Sequence, residues 1–148
     1  AAIESFAQQG ARVVTAVGAK TAEELLFVER ANGAGEVHIA TDDGSRGFHG
    51  FAPALADKLL DRESVGQIIT CGPEKMMYAV VDLARRRGIP VQASLERYMK
   101  CGIGICDACV LDDKLVCWDG PIFTGDQLAE SEDFGHFRRD KSGRRIPV

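Results

Sequence analysis

The sequence predicts an α/β fold built on a doubly wound, mostly parallel sheet and followed by a small cysteine-bearing module. Three observations carry that expectation. Short apolar runs alternate with amphipathic stretches of about 10 to 14 residues, and strands spaced in this way pair in parallel through helical crossovers. Several of the runs end at glycine or at a glycine-containing turn. After Ser94 the helical period vanishes, and four cysteines crowd into residues 101–117.

Each element follows from its own pattern. Residues 1–9 put Ile3 and Phe6 at helical spacing and stop at Gly10, as a helix C-terminus favours. Val13, Val14, Ala16 and Val17 form a run that ends at Gly18, as a strand buried on both faces would. Thr21 with Glu24 reads as a capping box, and it opens a helix with Leu25, Leu26 and Val28 inward that ends near Asn32-Gly33. Val37, Ile39 and Ala40 are the next strand, and the loop 41–47 leads to a helix holding Leu55, Leu59 and Leu60. Residues 67–70 are a further strand, turned by Cys71-Gly72-Pro73. Met76, Met77, Val80, Val81 and Ala84 then mark a helix over 74–87, and Val91 and Ala93 the last strand.

The predicted organisation is an α/β domain over residues 1–93, a cysteine-bearing module over 94–125 and a polar C-terminal tail over 126–148. A doubly wound domain normally opens with a strand whose following turn carries a glycine-rich phosphate loop. This sequence opens on a helix, so the domain is expected to lack its first strand and that loop.

Composition narrows the function classes. With 148 residues, 45% of them hydrophobic, and a net charge of -4, the chain is a folded protein without the clustered positive charge that a nucleic-acid backbone demands. No apolar stretch approaches the roughly 20 residues that span a bilayer, so neither nucleic acid nor membrane is an expected partner, and a cytoplasmic location is expected. Five cysteines, four of them clustered, point to a metal site in a reducing compartment rather than to a disulfide framework.

Cys101, Cys106 and Cys109 have the spacing C-x4-C-x2-C of plant-type 2Fe-2S sites, which take a fourth cysteine downstream. Cys117 is the downstream candidate. It faces Cys109 if Val110-Leu111 and Leu115-Val116 pair around Asp112-Asp113-Lys114, because opposed residues have Cβ atoms about 4.5 to 5.5 Å apart. Gly102 and Gly104 let the chain wrap closely there. A structural zinc site uses the same four thiolates but more often shows two C-x2-C knuckles. A 4Fe-4S cluster usually has another spacing, and a Cys109 to Cys117 disulfide leaves Cys101 and Cys106 unexplained.

The run Ser94-Leu95-Glu96-Arg97-Tyr98-Met99-Lys100-Cys101-Gly102-Ile103-Gly104-Ile105-Cys106, with Cys109 and then Cys117-Trp118-Asp119-Gly120-Pro121-Ile122-Phe123, resembles the electron-transfer subunits of dihydroorotate dehydrogenase. Cys71-Gly72-Pro73, the loop 41–45 and Asp133-Phe134-Gly135 are similar to the same family. These subunits are ferredoxin-reductase-like flavoproteins. The resemblance implies electron transfer from NAD(P)H through FAD and a 2Fe-2S cluster to a separate FMN-containing catalytic dihydroorotate dehydrogenase subunit of pyrimidine biosynthesis, in a hetero-oligomer. It places FAD in a barrel domain that this sequence does not contain, so tight FAD binding by these residues is not expected. The small subunit of a ferredoxin-NADP transhydrogenase resembles the chain around Cys106, Cys109 and Cys117-Trp118-Asp119-Gly120-Pro121 but often has a carboxylate where Cys101 stands. A zinc-stabilised interaction module without redox role is the alternative of a different class.

Ligands of open α/β sheets collect at the C-terminal ends of strands. Gly18 and Lys20 lie at one such end, with Lys20 able to meet an adenosine ribose or phosphate oxygen; Thr41, Asp42, Asp43 and Gly44 lie at a second, with either Asp able to accept from ribose hydroxyls. Cys71, Gly72 and Pro73 lie at a third, where the resemblance puts the cysteine beside the nicotinamide. Simple turns, a solvated lysine and a core cysteine account for the same residues without a ligand. Tyr98, Met99 and Trp118 flank the cysteines as a candidate apolar cover for the partner subunit.

Overall fold

The computed structural model describes residues 2–148 and divides into two compact units, the first ending at Glu63 and the second running Ser64–Val148. Residue 1, at the start of the first predicted helix, lies outside the described residues.

In the first unit, α1 (Ala2–Gln8) precedes β1 (Val14–Ala19), a single 3-10 turn at Ala22–Glu24 and α2 (Val28–Asn32). β2 (Glu36–Thr41), β3 (Phe48–His49) and α3 (Ala52–Leu60) complete it. The strands lie in the order β1-β2-β3 and all pair in parallel, from Val14 opposite Glu36 to Ala19 opposite Thr41. Parallel pairing is what the alternation of strands and helices requires. Val28, Ala31, Ala40, Thr41 and Leu55 are its buried residues. Gly18 admits α3 closely, since a Cβ there would stand 2.8 Å from the Cβ of Ala52. β1 itself is only half-buried, with Ala16 and Gly18 exposed.

The helix predicted to run from Thr21 to Asn32 is broken. Thr21 makes no side-chain cap bond, and Phe27, at φ 59°, separates the 3-10 turn from α2. The Ala22 amide is taken at 2.8 Å by the hydroxyl of Ser45. A tertiary hydrogen bond has thus captured a backbone donor of the helix start, and Leu26 is left exposed.

In the second unit, β4 (Ile68–Cys71), α4 (Glu74–Arg86) and β5 (Val91–Ser94) match the predicted strand, helix and strand. The next elements are β6 (Val110–Leu111), β7 (Lys114–Leu115), α5 (Val116–Asp119) and β8 (Ile122–Thr124). They are followed by α6 (Gly125–Ala129), β9 (Phe137–Arg139) and β10 (Arg145–Pro147). β4 and β5 pair in parallel, Cys71 opposite Ser94, and β8 adds to β5 antiparallel through Ser94 and Ile122. The core joins Met77, Val81 and Ala84 of α4 to Val91 and Ala93 of β5, with Phe123 and Phe134 among its most buried side chains. That helical face is the one the i, i+4, i+7 spacing marks.

Residues after Gly125 fold rather than trail. A capping box of Thr124 and Gln127 starts α6, Phe134 sits in the core, and β9 and β10 form a hairpin. Leu128 and Phe134 are the apolar anchors of this mostly polar stretch, and Asp133 is held by Arg145 at 2.7 Å.

Candidate metal centre

Between β5 and β6 the chain makes no helix or strand from Leu95 to Cys109. Its path there is set by individual contacts. The Leu95 amide donates to the Pro121 carbonyl at 2.9 Å, and the Val110 amide to that of Asp107. Cys101 begins a tight wrap in which the amides of Ile103 and Ile105 both point at its Sγ, each at 3.5 Å. Those donors, with the neighbouring Cys106 thiol, lower the Cys101 pKa to about 6 from its usual 9, because they favour the thiolate.

Cys109 and Cys117 come from the hairpin, with a register that differs by one residue from expectation. Val110 pairs with Leu115 and Leu111 with Lys114, leaving a two-residue turn at Asp112-Asp113. Asp112 takes φ 52°, which a short polar side chain tolerates, and its carboxylate accepts the Asp133 amide at 3.0 Å. Cys109 therefore bonds through its carbonyl to the Val116 amide, and the Cys117 amide donates to the Cys109 Sγ at 3.4 Å. The Asp119 carboxylate accepts the Leu115 amide at 2.6 Å and folds the short helix α5 under this pair. Contact with the Cys109 thiol and burial push the Cys117 thiol pKa up.

All five cysteines are free, and four of them form two thiol pairs, Cys101 with Cys106 and Cys109 with Cys117. The pairs are near enough for the charge of Cys101 to act on Cys117. No three thiol, imidazole or carboxylate groups among the described residues gather as ligands of one ion would. A 2Fe-2S cluster takes four cysteine thiolates, two on each iron, and the four free thiols of this module supply that donor set. Around them Tyr98, Met99, Ile103, Ile105, Trp118 and Ile122 are exposed, Ile105 by 76% and Trp118 by 72%.

The nucleotide-side residues fall into two groups, one in each unit. In the first unit Gly18, Lys20 and the loop 41–46 meet at the C-terminal ends of β1 and β2, where the Asp42 amide donates to Ala19 and the Asp43 amide to Lys20. Thr41 is fully buried and its hydroxyl exchanges hydrogen bonds with the backbone of Arg46, so it shapes the loop. Asp43 accepts both the amide and the hydroxyl of Ser45, which holds its carboxyl below the usual range, and Asp42 is exposed. Gly44 turns the loop beside them. In the second unit Cys71 is exposed at the end of β4, and Gly72-Pro73 lead directly into α4.

Sequence reasoning missed Glu74 and Arg97, whose side chains form a buried ion pair in the second unit. Their separation of 23 residues has no local signature.

The parallel α/β units define a class: the chain has a ferredoxin-reductase-like fold, joined here to a cysteine-bearing module. A solved structure described as "Insights into flavin-based electron bifurcation via the NADH-dependent reduced ferredoxin-NADP oxidoreductase structure" superposes with a TM-score of 0.72 at 29% identity, over 90% of this chain and 48% of that one. Residues 96–129 match the family described as "Iron-sulfur cluster binding domain of dihydroorotate dehydrogenase B". The chain is 50% identical over 98% of its length to a "Probable dihydroorotate dehydrogenase B (NAD(+)), electron transfer subunit" of Methanocaldococcus jannaschii, of which it covers 57%. It is 46% identical over 94% of its length to the protein of that name in Methanothermobacter thermautotrophicus, of which it covers 53%. The chain belongs to the family of dihydroorotate dehydrogenase B electron transfer subunits and spans about half the length of the relatives it matches.

Proposed function

We propose that this chain is the pyridine-nucleotide and iron-sulfur portion of an electron-transfer subunit. In the complete subunit, electrons from NAD(P)H pass by way of FAD to an FMN-containing catalytic dihydroorotate dehydrogenase subunit. Cys101, Cys106, Cys109 and Cys117 hold a 2Fe-2S cluster, which supplies a one-electron carrier. The observation that carries this reading is four free thiols within residues 101–117, inside the segment that matches an iron-sulfur binding family.

Backbone amides aimed at Cys101 and Cys109 do the protein's part, since they stabilise negative charge on sulfur. In the first unit Lys20, Asp42 and Asp43 are the candidate nucleotide contacts, with Gly18, Thr41 and Gly44 shaping that edge; in the second unit Cys71, Gly72 and Pro73 are the candidate nicotinamide-side turn. The relatives' names carry NAD(+), which favours NADH as donor. The exposed apolar collar around the cysteines is where the catalytic subunit docks, making a hetero-oligomer. No helix among the described residues is long and apolar enough to cross a membrane. With five unpaired cysteines, this fits a reducing, cytoplasmic setting.

The test is metal and sulfide content with visible and EPR spectra of the anaerobically purified chain. About two iron and two sulfide per chain, with absorption that bleaches on reduction, are expected. Replacing any one of Cys101, Cys106, Cys109 and Cys117 by Ser is expected to lose most of that signal, and Cys71→Ser to keep it. A colourless chain with about one zinc overturns the reading in favour of a structural metal module.

A further inference from the structure

Glu74 and Arg97 each lie three residues beyond a strand end, Cys71 in one case and Ser94 in the other, and those two ends are paired across β4 and β5. One segment then carries the turn Cys71-Gly72-Pro73 into α4. The other carries the chain toward Cys101. The Arg97 guanidinium grips the Glu74 carboxylate with both terminal nitrogens, Nη2 donating to Oε1 at 2.7 Å and Nη1 to Oε2. The same Oε1 accepts the Gly135 amide at 2.9 Å, and Arg97 also reaches the carbonyls of Glu96 and Phe137. The side chains are only 2% and 8% exposed.

Such a pair is poorly explained by stability alone. Desolvating two charges costs several kcal/mol per ion, and replacing a buried pair by apolar residues of similar size is often neutral or stabilising. Arg97 adds to the cost, because its Nε is buried without a partner among the described residues. What a bidentate fork does supply is a fixed geometry. The segment 95–109 has no regular element to provide one, and the pair stands at its start.

We propose that Glu74 and Arg97 are positioning residues for electron transfer: their buried fork fixes the separation and orientation of the cysteine loop relative to the nicotinamide-side turn. This proposal rests on the cluster reading above. On that reading the nicotinamide and the cluster both serve the same flavin, so a loop free to shift against the turn would spread its separation from the flavin, on which electron-transfer rates depend steeply.

The experiment measures the separation directly. A Gd(III) chelate is attached to the exposed Cys71 of the cluster-loaded full chain, in which the other four cysteines are ligands. Pulsed dipolar EPR then gives the distance distribution between the chelate and the reduced cluster. The parent is expected to give a narrow distribution. Glu74→Met/Arg97→Met, which replaces the pair by apolar side chains, is expected to keep its iron and its thermal midpoint while the distribution becomes roughly twofold broader or shifts. Arg97→Lys keeps the charge but not the fork, and is expected to broaden it as well. If the double variant loses iron or unfolds, Arg97→Lys decides by the same comparison. Distributions that superpose on the parent, with iron retained, overturn the positioning role and leave the cluster reading standing. A parent chain with no signal from a reduced cluster overturns both.

Discussion

Loops 41–47 and 101–106 both follow a parallel strand and both turn on glycines, yet they are held in opposite ways. The first is closed by oxygen. The Asp43 carboxylate accepts the amide and hydroxyl of Ser45, and the Thr41 hydroxyl accepts the Arg46 amide and donates to the Arg46 carbonyl, all at 2.6 to 3.0 Å. The second is held by sulfur, with two amides at 3.5 Å from one thiol. Neutral sulfur is a weak acceptor, so that loop is well held only when its sulfurs carry charge. On the reading proposed above, a nucleotide would meet a loop closed by oxygen, whereas the cysteine loop would be held more firmly once its sulfurs carried charge.

The largest expected effect that sharpens this contrast comes from one substitution made in each loop. Gly44 (φ 75°) and Gly102 (φ 70°) both adopt the left-handed region. A Cβ on Gly44 would stand 2.8 Å from Cγ and 3.2 Å from Cβ of His49, whereas one on Gly102 meets nothing within 4 Å. Gly102→Ala carries only the left-handed cost, about 1–2 kcal/mol. Gly44→Ala adds overpacking and is expected to lose about 2–4 kcal/mol of local stability. Peptide-resolved amide exchange of each unit measures both. Equal losses would mean that the oxygen-closed loop yields as readily as the sulfur-held one.

The next effect concerns the thiols of the metal-free chain. Cys101, with a pKa of about 6, is mostly thiolate at pH 7, while Cys117 is raised above the ordinary value of 9 and is less than about 1% thiolate. The gain in thiolate is reduced by the weaker nucleophilicity of a low-pKa sulfur, leaving Cys101 at least about threefold faster in alkylation. Mass spectrometry after short iodoacetamide pulses reads this. The depressed pKa also fixes a sign: the contribution is fully present above the unfolded thiol pKa near 9 and is lost as pH falls through about 6. Protection of the Ile103 and Ile105 amides is expected to fall in that window, and protection of Ser45 to stay constant.

The parts of this comparison that were legible in the sequence are those written in local spacing. The C-x4-C-x2-C run named the sulfur-held loop, and the periods of α4 and of the strands beside it gave the parallel α/β class. Contacts between distant residues left no such trace. The buried Glu74 and Arg97 pair, β8 alongside β5, and Phe134 in the core each depend on partners far along the chain. The one-residue shift of the cysteine hairpin depended on the positive φ of Asp112, which a glycine would have advertised and an aspartate does not.

The smallest expected effect separates two threonines that look alike in sequence. Thr21 with Glu24 and Thr124 with Gln127 both spell a capping box. Only the second forms: the Gln127 amide donates to the Thr124 hydroxyl at 3.4 Å and the Thr124 amide to the Gln127 side chain at 2.9 Å. At Thr21 a nearby backbone donor has gone to Ser45 instead. Thr124→Ala is therefore expected to cost about 1 kcal/mol, the usual value of an N-cap, and Thr21→Ala only a few tenths, as a surface substitution. Denaturant or exchange measurements on the two variants check the difference. The Ala22 amide depends on the Ser45 hydroxyl and not on Thr21, so Ser45→Ala should move that amide toward faster exchange where Thr21→Ala does not.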